Sequence, residues 1–398
     1  MKTSVGWQAG LDRWLTPFLD ALGDKRRRPW APLYVMGLLL PGDRKSMQPI
    51  SSRVAPGDAE QIHNFVATSC WDPAPVEDVL CRRVDEMLGG DDAYLIVDDT
   101  GLPKKGTESV GVAHQYCGAL GKQANCQCLV SLTLARDDVP APVGLRLYLP
   151  KSWTDDGARC ERAKVPPSIA YRPKWAIALD EIDRVLASEV RFGCVLADAG
   201  YGACAEFRHG LSKRGYDWAV GILSTQNMYS PDVKISMPPR SGAGRPRIHP
   251  NVKESPRSAE QFIDKHATFR RVTWRMGTKG RLMGDFAIVR VRPADGVESR
   301  SGVHLPGDPA WLVCERLSNG DRKYYLASLP ASASHKKIVA AIKARWACEQ
   351  MHQQAKEELG LDHFEGRSWI GLHHHALLTM IAFAFLLHLR LSENKYAA

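Results

Sequence analysis

Two short apolar runs that each end in acidic residues place the strongest limit on how this chain folds. The first covers residues 94–97 and is followed by Asp98 and Asp99, and the second covers 194–197 and is followed by Asp198. Apolar runs of this length between polar turns are typical of buried strands. A carboxylate at the end of a buried strand is costly to place without a partner. The acidic residues therefore predict a functional site at the ends of strands.

The remaining patterns predict a mixed α/β sheet that is preceded by a small all-helical segment. Apolar residues recur at helical spacing through most of residues 1–90. Further on, three consecutive strands and then strands that alternate with helices indicate an α/β sheet. We expect strands at 94–97, 109–113, 128–134, 194–197 and 218–222, and helices at 175–188, 205–214, 335–359 and 370–391. Four more strands, at 269–274, 286–291, 311–315 and 323–327, predict a β-rich insertion.

Four segments follow from this pattern: 1–90, 91–223, 224–332 and 333–398. We expect the first to be a helical DNA-binding domain, the second and fourth to form one α/β core, and the third to be the β-rich insertion. A small basic helical domain is a common DNA-binding design. Solvated helix faces explain the same pattern equally well, so both interpretations of 1–90 stay open.

Charge and cysteine content limit the partners and the compartment. The net charge is +9 and the pI is near 9.0, which favours a polyanionic partner without proving one. Ten cysteines lack the spacing of a zinc site, as expected for free thiols in a reducing compartment. The most apolar stretch, 376–387, is too short to cross a bilayer. These features predict a cytoplasmic protein.

Three carboxylates carry the predicted chemistry: Asp99, Asp198 and Glu349. Oxygen donors suit Mg²⁺, which leaves coordination positions for phosphate and water. Two such ions clamp the attacking and leaving oxygens of an in-line phosphoryl transfer. Adjacent strand residues point to opposite faces, so only one of Asp98 and Asp99 points at the site. We expect Asp99 to be the ligand and Asp98 to cap the turn or support the site from behind.

Basic residues near these carboxylates are candidates for DNA binding. Arg345 lies four residues before Glu349 and Lys356 seven after, which places all three on one face of a single helix. Lysine and arginine both suit phosphate, although intrahelical charge pairs explain the same spacing. Further candidates for phosphate contact, each with a solvated turn or linker as the alternative, are Lys104, Lys105, Arg245 and Arg247.

These motifs resemble those of bacterial insertion-sequence transposases of the DDE class, which have a ribonuclease H-like catalytic core. Residues 97–100 and 196–202 are similar to the first two acidic motifs of that family. Arg345, Glu349 and Lys356 match a Tyr-x2-Arg-x3-Glu-x6-Lys signature, in which Ile342 stands in the tyrosine position.

The resemblance implies an enzyme that binds the terminal repeats of an insertion sequence and cuts and rejoins DNA there. It implies two Mg²⁺ ions, with Mn²⁺ as a substitute, held by Asp99, Asp198 and Glu349. The implied partners are double-stranded DNA of the element ends and of the target, and a second copy of the chain in a synaptic homodimer, with no membrane. The β-rich insertion is expected to contact the element end.

Other functions remain open on the sequence alone. A metal-dependent endonuclease without strand transfer needs the same three carboxylates. A DNA-binding relative that has lost catalysis is disfavoured, because all three acidic positions are filled. A glycosidase could use Asp99 and Glu349 as its acid and base, but that activity does not explain the basic residues.

Overall fold

The structure, a computed structural model, describes residues 4–236, 250–277, 280–297 and 304–397. Arg245 and Arg247 lie outside the described residues. The described helices are α1 (Ser4–Ala21), α2 (Trp30–Leu39), α3 (Met47–Val54), α4 (Ala59–His63), α5 (Ala74–Leu88), α6 (Lys151–Thr154), α7 (Gly157–Arg162), α8 (Lys174–Ala187), α9 (Ala199–Gly202), α10 (Ala205–Lys213), α11 (Ala259–His266), α12 (His335–Ala344), α13 (Trp346–Glu357) and α14 (Trp369–Ala397). A π-helical turn, Asn64–Thr68, continues α4.

The described strands are mostly antiparallel to their neighbours. They are β1 (Gly90–Pro103), β2 (Ala113–Cys117), β3 (Lys122–Arg136), β4 (Val139–Leu147), β5 (Phe192–Ala197), β6 (Asp217–Ile222), β7 (Asn227–Tyr229), β8 (Ile235–Ser236), β9 (Asn251–Val252), β10 (Arg257–Ser258), β11 (Arg270–Gly277), β12 (Gly280–Pro293), β13 (Ala310–Arg316) and β14 (Arg322–Ala327). The mixed α/β fold predicted from the sequence is confirmed.

Contacts divide the chain into two compact units. The first contains Met1–Gly193 and Trp346–Ala398, and the second contains Cys194–Arg345. The N-terminal helices thus share a unit with β1–β4. As a functional division, the four segments 1–90, 91–223, 224–332 and 333–398 stay a prediction.

The first unit is built around β3, which pairs with β1 along one edge and with β2 and β4 along the other. Residues 126–135 of β3 are all buried, so helices must cover both of its faces. Ser131 contacts α13 on one face. On the opposite face Arg146 of β4, which pairs with Val130, contacts Glu77 of α5 and Glu181 of α8.

Helix α14 forms the core contact between the N-terminal helices and the strands of this unit. It packs against α2, α5, the π-helical turn and β4. Its segment Trp369–Glu393 is long and apolar enough to cross a membrane, but 89% of its most apolar window is buried within the protein. Such burial is typical of a core helix and explains why α14 is apolar on all sides.

Three consecutive histidines of α14 each bond a different part of the first unit. His373 contacts the backbone N–H of Leu147, His374 contacts the carbonyl of Val66, and His375 contacts the hydroxyl of Tyr34. Burial lowers the pKa of each imidazole to about 4. All three are therefore neutral in the folded protein at neutral pH.

We expect these histidines to make the protein less stable in mild acid. Their folded pKa lies below the usual value of 6.5, so the unfolded chain takes up protons first as the pH falls. The free energy of unfolding should fall between about pH 6.5 and pH 4, by at most about 1.4 kcal/mol per pH unit for each histidine. Urea unfolding at several pH values measures this slope, and His374→Gln should reduce it. Equal stability at pH 7 and pH 5 would contradict the assignment.

The second unit contains a parallel pair of strands, β5 with β6, which are joined through α9 and α10. From β6 the sheet continues antiparallel through β14, β13 and β12. Strands β11 and β7 both pair with β12, and β10 pairs with β7. Residues 224–332, which the sequence predicts to be a β-rich insertion, thus include a set of antiparallel strands that continues the sheet from β6.

Three expectations from the sequence need correction. Residues 109–112 form a turn, with Gly111 at φ +72°, and the strand begins only at Ala113. Strand β4 was not expected. The predicted single helix 335–359 is two helices, because α12 ends at Ala344 and α13 begins at Trp346.

Candidate active site

Strand β1 continues beyond the predicted end at Val97 to Pro103, so Asp98 and Asp99 lie within the strand and point to opposite faces of the sheet. Asp98 pairs with Ser131 of β3, and Asp99 pairs with Val130. Directly opposed residues of an antiparallel pair share a face, and the faces alternate along a strand. The contacts of each side chain identify its face.

Asp99 faces α8 and forms an ion pair there. Its carboxylate accepts a hydrogen bond from the Lys174 ammonium group at 2.6 Å, and each side chain is about one-third exposed. Burial alone would lower the pKa of Lys174, but the charges and hydrogen bonds of Asp99 and Cys128 together outweigh it and the pKa is raised. Asp99 is therefore the anionic partner of a fixed cation.

Asp98 faces α13, the helix that carries Glu349. The Cys348 thiol donates to Oδ2 of Asp98 at 3.1 Å, and Oδ1 accepts the backbone N–H of Asp99 at 2.8 Å. Ser131, which pairs with Asp98, contacts Nε2 of His352 on α13 at 2.7 Å. Strand and helix thus meet through polar groups, with Asp98 at their centre.

Glu349 and Lys356 both belong to α13, seven residues apart and so on one face of that helix. Glu349 is exposed and Lys356 is half-buried. Burial lowers the pKa of Lys356, although the nearby carboxylate of Asp362 opposes this shift. Arg345 lies at the break between α12 and α13 and belongs to the second unit. Because Arg345 still has helical backbone angles, the expectation that all three residues share one helix face stays a prediction.

Asp198 ends β5 and caps the helix that follows, in the second unit. Its Oδ1 accepts the backbone N–H groups of Gly200 at 2.9 Å and Tyr201 at 3.3 Å. This turn lies directly against β6, because a Cβ added at Gly221 would come within 2.8 Å of the Ala199 nitrogen. The glycine is needed for this close approach, which fixes the backbone that carries Asp198.

The two predicted lysine contacts near β1 have different settings. The ammonium group of Lys104 donates to the Phe364 carbonyl at 2.6 Å, and burial lowers its pKa. Lys104 thus holds the loop that follows α13. Lys105 is exposed.

The donor chemistry at these positions suits a hard divalent cation. Asp98, Asp198 and Glu349 offer only carboxylate oxygens, the ligands that Mg²⁺ prefers. Thr100, on the same face of β1 as Asp98, has a buried hydroxyl with no hydrogen-bond partner among the described residues. Within the part of the chain that the structure describes, no three histidine, cysteine, aspartate or glutamate side chains converge as a metal site. The proposed donors are divided between the two units.

Comparison with known families identifies the family of the chain. A family model described as DDE superfamily endonuclease matches residues 17–281, about two thirds of the sequence. This chain belongs to the DDE superfamily of endonucleases. The matched region of this family member includes Asp98, Asp99 and Asp198, whereas Glu349 lies beyond it.

The chain is similar to a curated relative and to solved structures. A probable transposase for insertion sequence element IS701 from Microchaete diplosiphon is 29% identical over 182 residues, which cover 46% of this chain and 45% of the relative. The chain thus spans less than half of the length of that relative. A cryo-EM structure of the piggyBac transposase synaptic complex with hairpin DNA matches 93% of this chain and 67% of that chain, at 11% identity and a TM-score of 0.43.

Four residues at the site were not found from the sequence: Ser131, Lys174, Cys348 and His352. Each is assigned by a contact with a neighbouring strand or helix, such as the 2.6 Å contact of Lys174 with Asp99. Ser131 alone had a signal in the sequence, as a polar residue within the apolar strand 128–134.

Proposed function

We propose that the chain is a transposase that binds the terminal repeats of an insertion sequence and catalyses metal-dependent strand cleavage and transfer. Membership of the DDE endonuclease superfamily supports the nuclease step. The similarity to a probable insertion-sequence transposase supports the transfer step. The observation that carries the proposal is the contact of Asp98 with Cys348, because it joins strand β1 to the helix of Glu349.

We propose Asp98, rather than Asp99, as the first carboxylate of the catalytic centre. Asp98 lies on the α13 face together with Thr100, whereas Asp99 is paired with Lys174 on the α8 face. A metal ion bound by Asp99 would have to displace a cation that is already held at 2.6 Å. The same argument keeps Asp99 and Lys174 as a structural pair that holds α8 against β1.

Asp198 and Glu349 complete the proposed set of metal ligands. Divalent metal, Mg²⁺ or Mn²⁺ and two ions for each site, would supply a Lewis acid at the phosphodiester and a water of lowered pKa. The chain's own contribution is to orient these carboxylates through strand β1, the end of strand β5 and helix α13. Lys356, on the face of α13 that carries Glu349, is proposed to neutralise a DNA phosphate near the scissile bond. Arg345 and Lys105 are proposed as further phosphate contacts, as are Arg245 and Arg247.

The order of elements supports a ribonuclease H-like core. Three antiparallel strands, β1, β3 and β4, are followed by α8 and then by the parallel pair β5 and β6, as the resemblance implies. We propose that the N-terminal helices and the β-rich insertion contact the element ends in a homodimer that holds two of them. The proposed substrate is double-stranded DNA in the cytoplasm, where the basic net charge of +9 favours binding to a polyanion.

An assay with the element's own terminal repeats tests this function. The purified chain is incubated with a labelled fragment that carries the repeats, with a supercoiled target plasmid, and with Mg²⁺ or EDTA. We expect cutting at the repeat boundary and joined products only with Mg²⁺. Cutting without joining would favour an endonuclease, and repeat binding without cutting would favour a relative that has lost catalysis. Cutting in EDTA would contradict the proposed metal chemistry.

A further inference from the structure

Two residues of α13 fix that helix against the strands, and Glu349 lies between them in sequence. Cys348 and His352 are four residues apart and both are buried, whereas Glu349 is exposed. Residues at this spacing lie above one another on one helix face. The thiol of Cys348 bonds the Asp98 carboxylate, and His352 bonds the hydroxyl of Ser131. The face of α13 next to Glu349 is thus held by polar contacts.

The bond between Ser131 and His352 has a defined direction. Ser131 is fully buried, and its hydroxyl donates to the backbone carbonyl of Asp98 at 3.0 Å. A hydroxyl has one proton, so Ser131 must accept from Nε2 of His352 in the second contact, at 2.7 Å. Nε2 of His352 therefore carries a proton. The result is a chain of two hydrogen bonds from α13 through β3 to the backbone of Asp98.

We propose that Ser131 and His352 are positioning residues that set the height of α13 along β1 and so bring Glu349 into register with Asp98. A helix rises 1.5 Å per residue, and a slip of one turn moves a side chain by about 5.4 Å. Carboxylates that share a metal ion tolerate much less, because Mg²⁺–oxygen distances are about 2.1 Å. This inference rests on the proposed function, because the register of Glu349 with Asp98 matters only if both residues bind the catalytic metal ions.

Metal binding in the absence of DNA tests the proposal without relying on cleavage. Mn²⁺ is titrated into the full chain, and free Mn²⁺ is measured by electron paramagnetic resonance. In other metalloproteins, loss of the groups that orient metal ligands weakens metal binding by about 10–100-fold. We expect a loss of that size for Ser131→Ala and for His352→Leu. His352→Gln, which retains an N–H donor near the position of Nε2, should recover most of the affinity.

A matched control separates positioning from simple stability. Gln353 lies on the exposed side of the same helix, where it bonds Glu357, so Gln353→Ala should leave the Mn²⁺ affinity unchanged. Ser131→Ala removes only a hydroxyl group, so this variant still tests the proposal if His352→Leu does not fold. A lowered melting temperature with unchanged Mn²⁺ affinity in Ser131→Ala would overturn the proposal, as would a failure of His352→Gln to recover affinity.

The cleavage assay on the same proteins distinguishes this failure from failure of the proposed function. The wild type should cut terminal-repeat DNA, and the Mg²⁺ concentration for half-maximal cutting should rise about 10–100-fold in Ser131→Ala. Normal Mg²⁺ dependence in that variant would overturn the positioning role while leaving the transposase proposal intact. A wild type that neither binds Mn²⁺ nor cuts DNA would overturn both.

Discussion

Replacing Asp98 by asparagine should abolish DNA cleavage, and the same change at Asp99 should not. Asp98→Asn removes a proposed metal ligand on the α13 face, so we expect the cleavage rate to fall by about 1,000-fold or more. Asp99→Asn breaks an ion pair in which each side chain is about one-third exposed. Such a pair contributes little to the stability of the fold. Its cleavage rate should stay within about 10-fold of the wild type.

Two controls make this comparison decisive. Both variants should retain affinity for terminal-repeat DNA in a band-shift assay, because neither change removes a cation. Lys174→Met, which removes the other half of the Asp99 pair, should behave like Asp99→Asn. If Asp99→Asn is inactive and Asp98→Asn is active, the assignment of the catalytic carboxylate to the α13 face of β1 is wrong.

The largest expected effect on stability is at Arg146. Its guanidinium group bonds Glu77 of α5 and Glu181 of α8, with contacts of 2.6 Å to an oxygen of each. Both carboxylates are almost fully buried. Arg184 also lies 3.6 Å from Glu77 and 3.0 Å from Glu181. Arg146→Met leaves the two buried anions to share Arg184, so we expect the free energy of unfolding to fall by about 3–5 kcal/mol. Arg172→Met, which breaks the exposed pair with Asp180, should cost at most about 1 kcal/mol.

The cost of Arg146→Met should shrink in acid. Burial alone raises the pKa of Glu77, but the hydrogen bonds and charge of Arg146 outweigh it and the pKa is lowered. The pair therefore stabilises the fold above the usual carboxyl pKa of about 4.5, and this contribution is lost as the pH falls through the lower folded value. Urea unfolding of wild type and variant at pH 7 and pH 4 measures the difference. A difference that grows in acid would contradict this account.

The strands that carry or precede the acidic residues followed from the sequence, but the face of the sheet to which each residue points did not. Apolar runs identified β1 and β5, and their bounds contain the predicted strands 94–97 and 194–197. Strand alternation shows that Asp98 and Asp99 point to opposite faces, without showing which face meets α13. That choice depends on tertiary packing, through contacts such as Cys348 with Asp98 and Lys174 with Asp99.

Two features of the secondary structure, strand β4 and the helix break at Arg345, were also not predicted from the sequence. Strand β4 contains Pro140 and Pro142, which argue against a strand in sequence. It pairs only with β3 among the described strands, with a register shift near Pro142, and prolines are tolerated on such an edge. The helix break at Arg345 has no glycine or proline beside it, so the sequence offered no signal for it.

Exchange of the metal ion in cysteine variants tests whether the catalytic centre lies on the α13 face of β1. A thiolate is a softer ligand than a carboxylate and favours softer divalent ions over Mg²⁺. Asp98→Cys should fail to cut terminal-repeat DNA in Mg²⁺ and recover cutting when Mn²⁺ or Cd²⁺ is supplied. Asp99→Cys should cut in Mg²⁺ without this exchange. Rescue by softer ions confined to Asp99→Cys, with Asp98→Cys active in Mg²⁺, would contradict the placement of the catalytic centre on the α13 face.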